Sequence, residues 1–121
     1  MITFRIEDLK TMNARMREFA EFLISCDVDD EAVFFSRLVS CELISNVIRH
    51  GGDTAEFRGE LLPDRISITV SAESQDSVNL RTDRPEAFAE SGRGLYIINA
   101  VSINGVERGE RGELKVYIKR N

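Results

Sequence analysis

The spacing of apolar residues changes period several times along this 121-residue chain, and the order of those changes restricts the fold. Apolar side chains alternate in residues 2–6, which predicts a strand, and then recur at helical spacing over residues 8–24 and 30–50. Alternation returns over residues 55–72, where a proline-aspartate pair predicts the turn of a β-hairpin. A strand, two helices and a hairpin in succession are typical of an α+β chain rather than of alternating βαβ units.

The second half of the chain contains a long irregular segment between two regular ones. Residues 73–91 are polar and lack a clean period, which predicts a loop of a length that is usually functional or disordered. A buried helix is predicted over residues 95–101, and two strands joined by a glycine-rich turn near 109–112 close the chain. We therefore expect a two-layer α/β sandwich, with a mainly antiparallel mixed sheet and helices on one face.

Composition narrows the class of protein. The chain is long enough for one domain, 1–121, with a substantial core, and no repeat or linker divides it. It has 16 Lys and Arg against 21 Asp and Glu, and without a basic patch we expect no direct contact with nucleic acid. The apolar runs are too short to span a membrane, and the first ten residues are too charged for a signal peptide. These features predict a cytoplasmic protein with reduced cysteines.

Three polar residues interrupt the second predicted helix, which is apolar on almost every side. Glu42, Asn46 and His50 are spaced i, i+4 and i+8, so they lie along one stripe of that helix. Buried polar groups are costly unless they are paired or face a cleft. Glu42 is either neutralised by an arginine at the helix edge or available as a general base. Asn46 offers a neutral oxygen suited to Mg²⁺, and His50 suits a helix C-terminus.

A second candidate feature is the segment Gly92-Arg93-Gly94-Leu95, which opens the third predicted helix. Two glycines allow the backbone to approach a ligand closely, and a helix N-terminus offers free N–H groups to an anion. By itself this pattern also fits a plain helix-entry turn. It is neither a Walker loop nor a dinucleotide fingerprint, because no Gly-Lys-Ser/Thr and no third glycine follow.

Together, the two features resemble a known family. The run E-L-I-S-N-V-I-R-H-G at residues 42–51 is similar to the N-box of the histidine-kinase-like (GHKL) ATPases. The run G-R-G-L-Y-I-I at residues 92–98 resembles their second glycine box. The resemblance is strongest to the small anti-sigma factor serine-protein kinases of that superfamily, and it extends over nearly the whole chain. It implies the Bergerat-type fold of those ATPases.

The resemblance also implies a role for individual residues. Asn46 is expected to coordinate the Mg²⁺ that bridges the phosphates of ATP or ADP, and Glu42 to be the catalytic base toward an incoming hydroxyl. The other positions implied in nucleotide binding are His50 in the N-box, Gly92, Arg93, Gly94 and Leu95 around the phosphates, and Ala72 and Ser74 at the adenine. Arg93 either contacts a phosphate or lies in solvent, and residues 73–91 are expected to form a lid.

The function implied is that of a homodimeric, cytoplasmic serine/threonine-protein kinase in a partner-switching circuit of transcription regulation. Such a protein sequesters a sigma factor and phosphorylates a serine on a STAS-domain anti-anti-sigma protein. One part of the family pattern is missing, since Ala72 and Ser74 stand where the family has an adenine-binding Asp and a Gly. Losing a hydrogen bond to a charged acceptor costs roughly 1.5–3 kcal/mol. The alternative is therefore a nucleotide-independent protein-binding module with a decayed ATP site.

Overall fold

A computed structural model describes residues 1–51, 54–72 and 93–121. The element order confirms the order expected from the sequence for this part of the chain. The elements are β1 (Ile2–Ile6), α1 (Leu9–Ser25), α2 (Asp30–Gly51), β2 (Ala55–Leu61), β3 (Arg65–Ala72), α3 (Arg93–Val101), β4 (Glu107–Arg108) and β5 (Leu114–Lys119).

The five strands form one open sheet in the order β1-β2-β3-β5-β4. Every pairing among the described strands is antiparallel, so the sheet is antiparallel throughout rather than mixed. The register places Phe4 opposite Phe57, and Ile68 opposite Val116. Because alternate residues of a strand point to opposite faces, this register collects the apolar positions on one face, which we call the inner face. The other face, the outer face, carries mostly polar and charged residues.

Two aspartates fix where the first two helices begin. Asp8 caps α1, where its Oδ1 accepts a hydrogen bond from the Thr11 N–H at 2.7 Å. Asp29 caps α2 by accepting from the Ala32 N–H at 3.1 Å, and it also accepts from the Asn121 N–H at 3.1 Å. The Thr11 bond holds the pKa of Asp8 below its ordinary value, and the Asn121 bond does the same for the pKa of Asp29. The residue that caps α2 therefore also holds the backbone of Asn121 beside the start of that helix.

The core lies between the helices and the inner face of the sheet. At its centre, the rings of Phe19 on α1 and Phe57 on β2 meet edge to face, with centroids 4.9 Å apart. Gly59 makes this contact possible, because a Cβ at that position would lie 2.5 Å from the Phe19 ring. The largest fully buried side chains are Phe19, Phe57, Ile6, Met16, Leu23, Leu43, Ile44, Ile66, Ile68, Ile98, Ile118 and Val39. The chain thus forms a two-layer α+β sandwich.

The helices are less deeply buried than their composition predicts. Phe34 on α2 is 61% exposed, and Tyr96 on α3 is 74% exposed, although both helices were expected to be buried. The sheet covers one side of α2 and α1 packs beside it, which leaves part of its surface open. Apolar content alone does not reveal which side of a helix its neighbours cover.

Candidate functional site

Asn46 on α2 is buried, at 3% exposure. Its Nδ2 donates to the backbone oxygen of Glu42, one turn earlier, at 2.9 Å. Its Oδ1 is also buried, yet it accepts no hydrogen bond from the described residues. An unsatisfied buried acceptor lowers the free energy of unfolding by about 1–3 kcal/mol. This oxygen therefore either destabilises the fold or binds a ligand.

Glu42 lies one turn before Asn46 on the same side of α2, but it is only half-buried. It is therefore less deeply placed than the sequence predicts, because it lies toward the edge of the surface that α2 buries. Its carboxylate forms no ion pair or hydrogen bond with any residue in the described ranges, including the exposed Arg37 and Arg49. The interpretation of Glu42 as one half of a structural ion pair is thus not supported there.

The thiol next to this carboxylate is poorly suited to chemistry. Cys41 is half-buried, and burial raises the pKa of its thiol above the ordinary value, although the Arg37 charge opposes this more than the Glu42 charge adds to it. The thiol therefore stays protonated near neutral pH and is a weak nucleophile.

The structure packs α3 against α2, as is required if the runs at residues 42–51 and 92–98 contribute to one site. Ile98 of α3 is fully buried in the core that α2 helps to form. The backbone of Arg93, Gly94 and Leu95 forms the first turn of α3, and His50 lies in the last turn of α2. Gly92, Ser74 and the whole of the predicted lid, residues 73–91, lie outside the described residues.

Ala72, predicted to lie at the adenine, is buried at the end of β3. It is the last residue of β3, it pairs with Ala55 in the sheet, and it is 8% exposed on the inner face. Its side chain is a methyl group within the core and cannot accept a hydrogen bond from an adenine amino group. The adenine side of the candidate site thus lacks, at this position, the acceptor that the family pattern has.

The described residues around Asn46 offer a metal ion one unsatisfied oxygen rather than a set of ligands. No cluster of three His, Cys, Asp or Glu side chains that could hold a metal occurs within the part of the chain that the structure describes. Mg²⁺ typically takes one or two protein oxygens and completes its shell with phosphate and water. The Asn46 Oδ1 is one such oxygen, and its lack of a protein partner fits that use.

The sequence did not reveal a concave region on the outer face of the sheet, away from the predicted site residues of α2 and α3. A cavity of about 540 Å³ is lined there by polar residues of β2, β3 and β5 and by the β4–β5 turn. Arg58, Thr69 and Lys115 lie side by side across it. The polar residues of this region are the alternate positions of each strand that point to the outer face. They identify a common cavity only once the order of the strands in the sheet is known.

A scan against models of known protein families finds none that matches this chain, and a search of curated proteins finds no similar one. No helix in residues 1–51, 54–72 or 93–121 is long and apolar enough to cross a membrane. The fold and the candidate site define a class: a two-layer α+β domain whose long helix carries a buried amide oxygen without a partner among the described residues.

Proposed function

We propose that this chain is a cytoplasmic anti-sigma regulatory factor of the GHKL superfamily that binds Mg-ATP and phosphorylates a serine on a STAS-type antagonist. The observation that carries the proposal is the Asn46 Oδ1, which is buried and accepts no hydrogen bond from the described residues. A chain gains nothing in stability from such an acceptor, so its presence in the N-box-like run points to a bound cation. The packing of α3 against α2 is consistent with a phosphate-binding helix start beside it.

Each side chain in the proposal has a specific task. The Asn46 Oδ1 holds Mg²⁺, which when bound neutralises charge on the ATP phosphates. The N–H groups at the start of α3 bind phosphate oxygens. Glu42 accepts the proton of the substrate serine as that serine's oxygen bonds to the γ-phosphorus and the bond from phosphorus to ADP breaks. The half-buried, unpaired carboxylate of Glu42 supports this role, because it is accessible and not neutralised by a described cation.

The proposed partners follow from the same assignment. The chain sequesters a sigma factor and releases it when the STAS-domain protein competes, and phosphorylation of that protein's serine resets the exchange. We include a homodimer in the proposal. Its assembly is measured by sedimentation of the purified chain, with and without nucleotide.

Titration calorimetry with ATP and with ADP, each with and without Mg²⁺, tests the nucleotide step. We expect Mg²⁺-dependent binding that is lost in Asn46→Ala. Asn13→Ala is the matched control, because Asn13 is exposed on α1, away from the candidate site, and its loss should change nothing. Equal binding by the Asn46→Ala and parent proteins would contradict the proposal.

A second candidate function is a nucleotide-independent binding module with the same fold, and Ala72 is the observation that favours it. A buried methyl group at the family's adenine position removes a hydrogen bond worth about one to two decades of affinity. Under this alternative, millimolar ATP or ADP gives no heat and no thermal shift. Sigma-factor binding is then the same with and without nucleotide.

A further inference from the structure

The outer face of the sheet carries a trough that lies opposite the candidate nucleotide site. Outer-facing residues from three adjacent strands form its floor, since Arg58 pairs with Thr69 and Thr69 pairs with Lys115. A neighbouring cavity of about 340 Å³ shares Arg58, Thr69 and Ser71 with the cavity of about 540 Å³. The two form one depression from β1 to the β4–β5 turn, which we call the outer trough.

The charge of the outer trough is opposite to that of the whole chain. Five cations and three carboxylates line it, whereas the chain carries a formal charge of −5. The cations are Arg5, Arg58, Arg108, Arg111 and Lys115, and the carboxylates are Glu56, Glu107 and Glu113. Local excess charge of this kind in a concave region attracts ligands of the other sign.

Three of these cations are available to a ligand. Arg58, Arg111 and Lys115 form no ion pair with any residue in the described part of the chain. The Lys115 Nζ lies 6.0 Å from the centre of the Tyr117 ring, a contact that uses none of its hydrogen-bond donors. Thr69 and Ser71 add hydroxyl groups between the cations.

We propose that the outer trough binds an extended acidic segment of a partner protein, independently of nucleotide. Arg58 and Lys115 are two strand spacings apart, about 10 Å, and β1 and β5 are three spacings apart, about 14 Å. That length matches about four residues of extended chain. Carboxylates along such a segment reach the arginine and lysine, and its other polar groups reach the two hydroxyls.

The three carboxylates of the outer trough define the segment further. Glu56, Glu107 and Glu113 repel an unbroken run of acids, so acids separated by small polar residues fit better. A single aromatic residue, Tyr117, contacts the cations of the described outer face, which is too few for a base-stacking surface. The arrangement therefore favours a protein segment over a nucleic acid.

The test uses a fluorescein-labelled hexapeptide of alternating Glu and Ser, with the Lys-Ser peptide as comparison, at low salt. We expect anisotropy to show binding of the acidic peptide only, and amide NMR shifts to change at Arg58, Thr69 and Lys115. The double variant Arg58→Gln, Lys115→Gln should weaken binding by roughly tenfold or more. The matched control, Arg17→Gln with Lys10→Gln, removes the same charge from exposed positions of α1 and should bind as the parent does.

Asn46→Ala should also bind the peptide as the parent does, which separates this proposal from the nucleotide site. Four outcomes overturn it: equal binding by the trough variant, NMR changes confined to the helices, tighter binding of an RNA oligonucleotide, or equal competition by inorganic phosphate. A fifth outcome that would overturn the proposal is measured by sedimentation. Self-association that the trough variant abolishes would make a second copy of the chain the occupant.

Discussion

Asn46 and Ala72 are both buried and both belong to the proposed nucleotide site. They differ in whether the side chain has a polar atom that could bind a ligand. Asn46 keeps an oxygen with no partner among the described residues, whereas Ala72 presents a methyl group that the core accepts without cost. The comparison teaches that burial alone does not mark a site. A buried polar atom without a protein partner can bind a ligand, whereas a buried methyl group cannot, although the Ser36 and Ser40 hydroxyls of α2 are likewise buried without a partner among the described residues. Under the proposed function, Asn46 keeps the group that the phosphate side needs, and Ala72 lacks the group that the adenine side needs.

The largest expected effect concerns Glu42, the carboxylate proposed as the general base. Glu42→Gln should slow phosphate transfer to the STAS-domain serine by roughly 100- to 10,000-fold, because the amide cannot accept the proton. Nucleotide binding should be unchanged, since Glu42 is not the metal ligand. Mass spectrometry of the acceptor protein over time measures the transfer.

Glu21→Gln is the matched control for Glu42→Gln, since Glu21 is exposed on α1 and the change removes the same charge. It should leave the rate at the parental value. Transfer by Glu42→Gln at the parental rate would remove Glu42 from the reaction. The remaining groups of the proposed phosphate side would then serve nucleotide binding and not phosphate transfer.

A smaller effect is expected when an acceptor is returned to the adenine side. Ala72→Asp should raise the affinity for ATP about 10- to 100-fold, because it adds a charged hydrogen-bond acceptor at the family's adenine position. The same change should lower the midpoint of thermal unfolding, since Ala72 is 8% exposed within the core. Calorimetry and thermal denaturation measure the two effects together.

Ser71→Asp separates position from charge. Ser71 is the adjacent residue of β3 and faces the outer trough, so an acid there should leave ATP affinity unchanged. An Ala72→Asp protein that is folded and binds ATP no better than the parent would show that Ala72 is not the adenine position. An equal gain from both variants would point to a general charge effect.

The sequence predicted most of the fold because period and turn chemistry are local. The strand alternation of residues 2–6 and the order of the elements are both confirmed. The buried polar position of Asn46 was also predicted from its apolar neighbours.

What the sequence did not predict depends on contacts between distant segments. The exposure of Phe34 depends on where α1 packs beside α2, and helical period does not encode that placement. The outer trough depends on β5 pairing with β3, which sets Lys115 beside Thr69. Arg58, Thr69 and Lys115 are each an ordinary polar position of a different strand. Only the order of the strands in the sheet brings these residues to a common site.

A change of stability tests the cost of the Asn46 oxygen. Asn46→Leu should raise the free energy of unfolding by about 1 kcal/mol, because it removes an unsatisfied buried acceptor and improves helix propensity. It should also abolish Mg²⁺-dependent nucleotide binding. Chemical denaturation and calorimetry provide the two readouts. A destabilised Asn46→Leu protein would show instead that the amide is a structural part of the core.

The smallest expected effect comes from Ser45, the polar neighbour that the chain does satisfy. The Ser45 Oγ donates to the Met12 Sδ at 3.6 Å, and the residue is buried between α2 and α1. Ser45→Ala removes this weak bond but gains helix propensity, so stability should change by less than about 0.5 kcal/mol. Nucleotide binding should be unaffected. A loss of binding in Ser45→Ala as large as that in Asn46→Leu would mean that repacking of α2, rather than the Asn46 oxygen, controls the site.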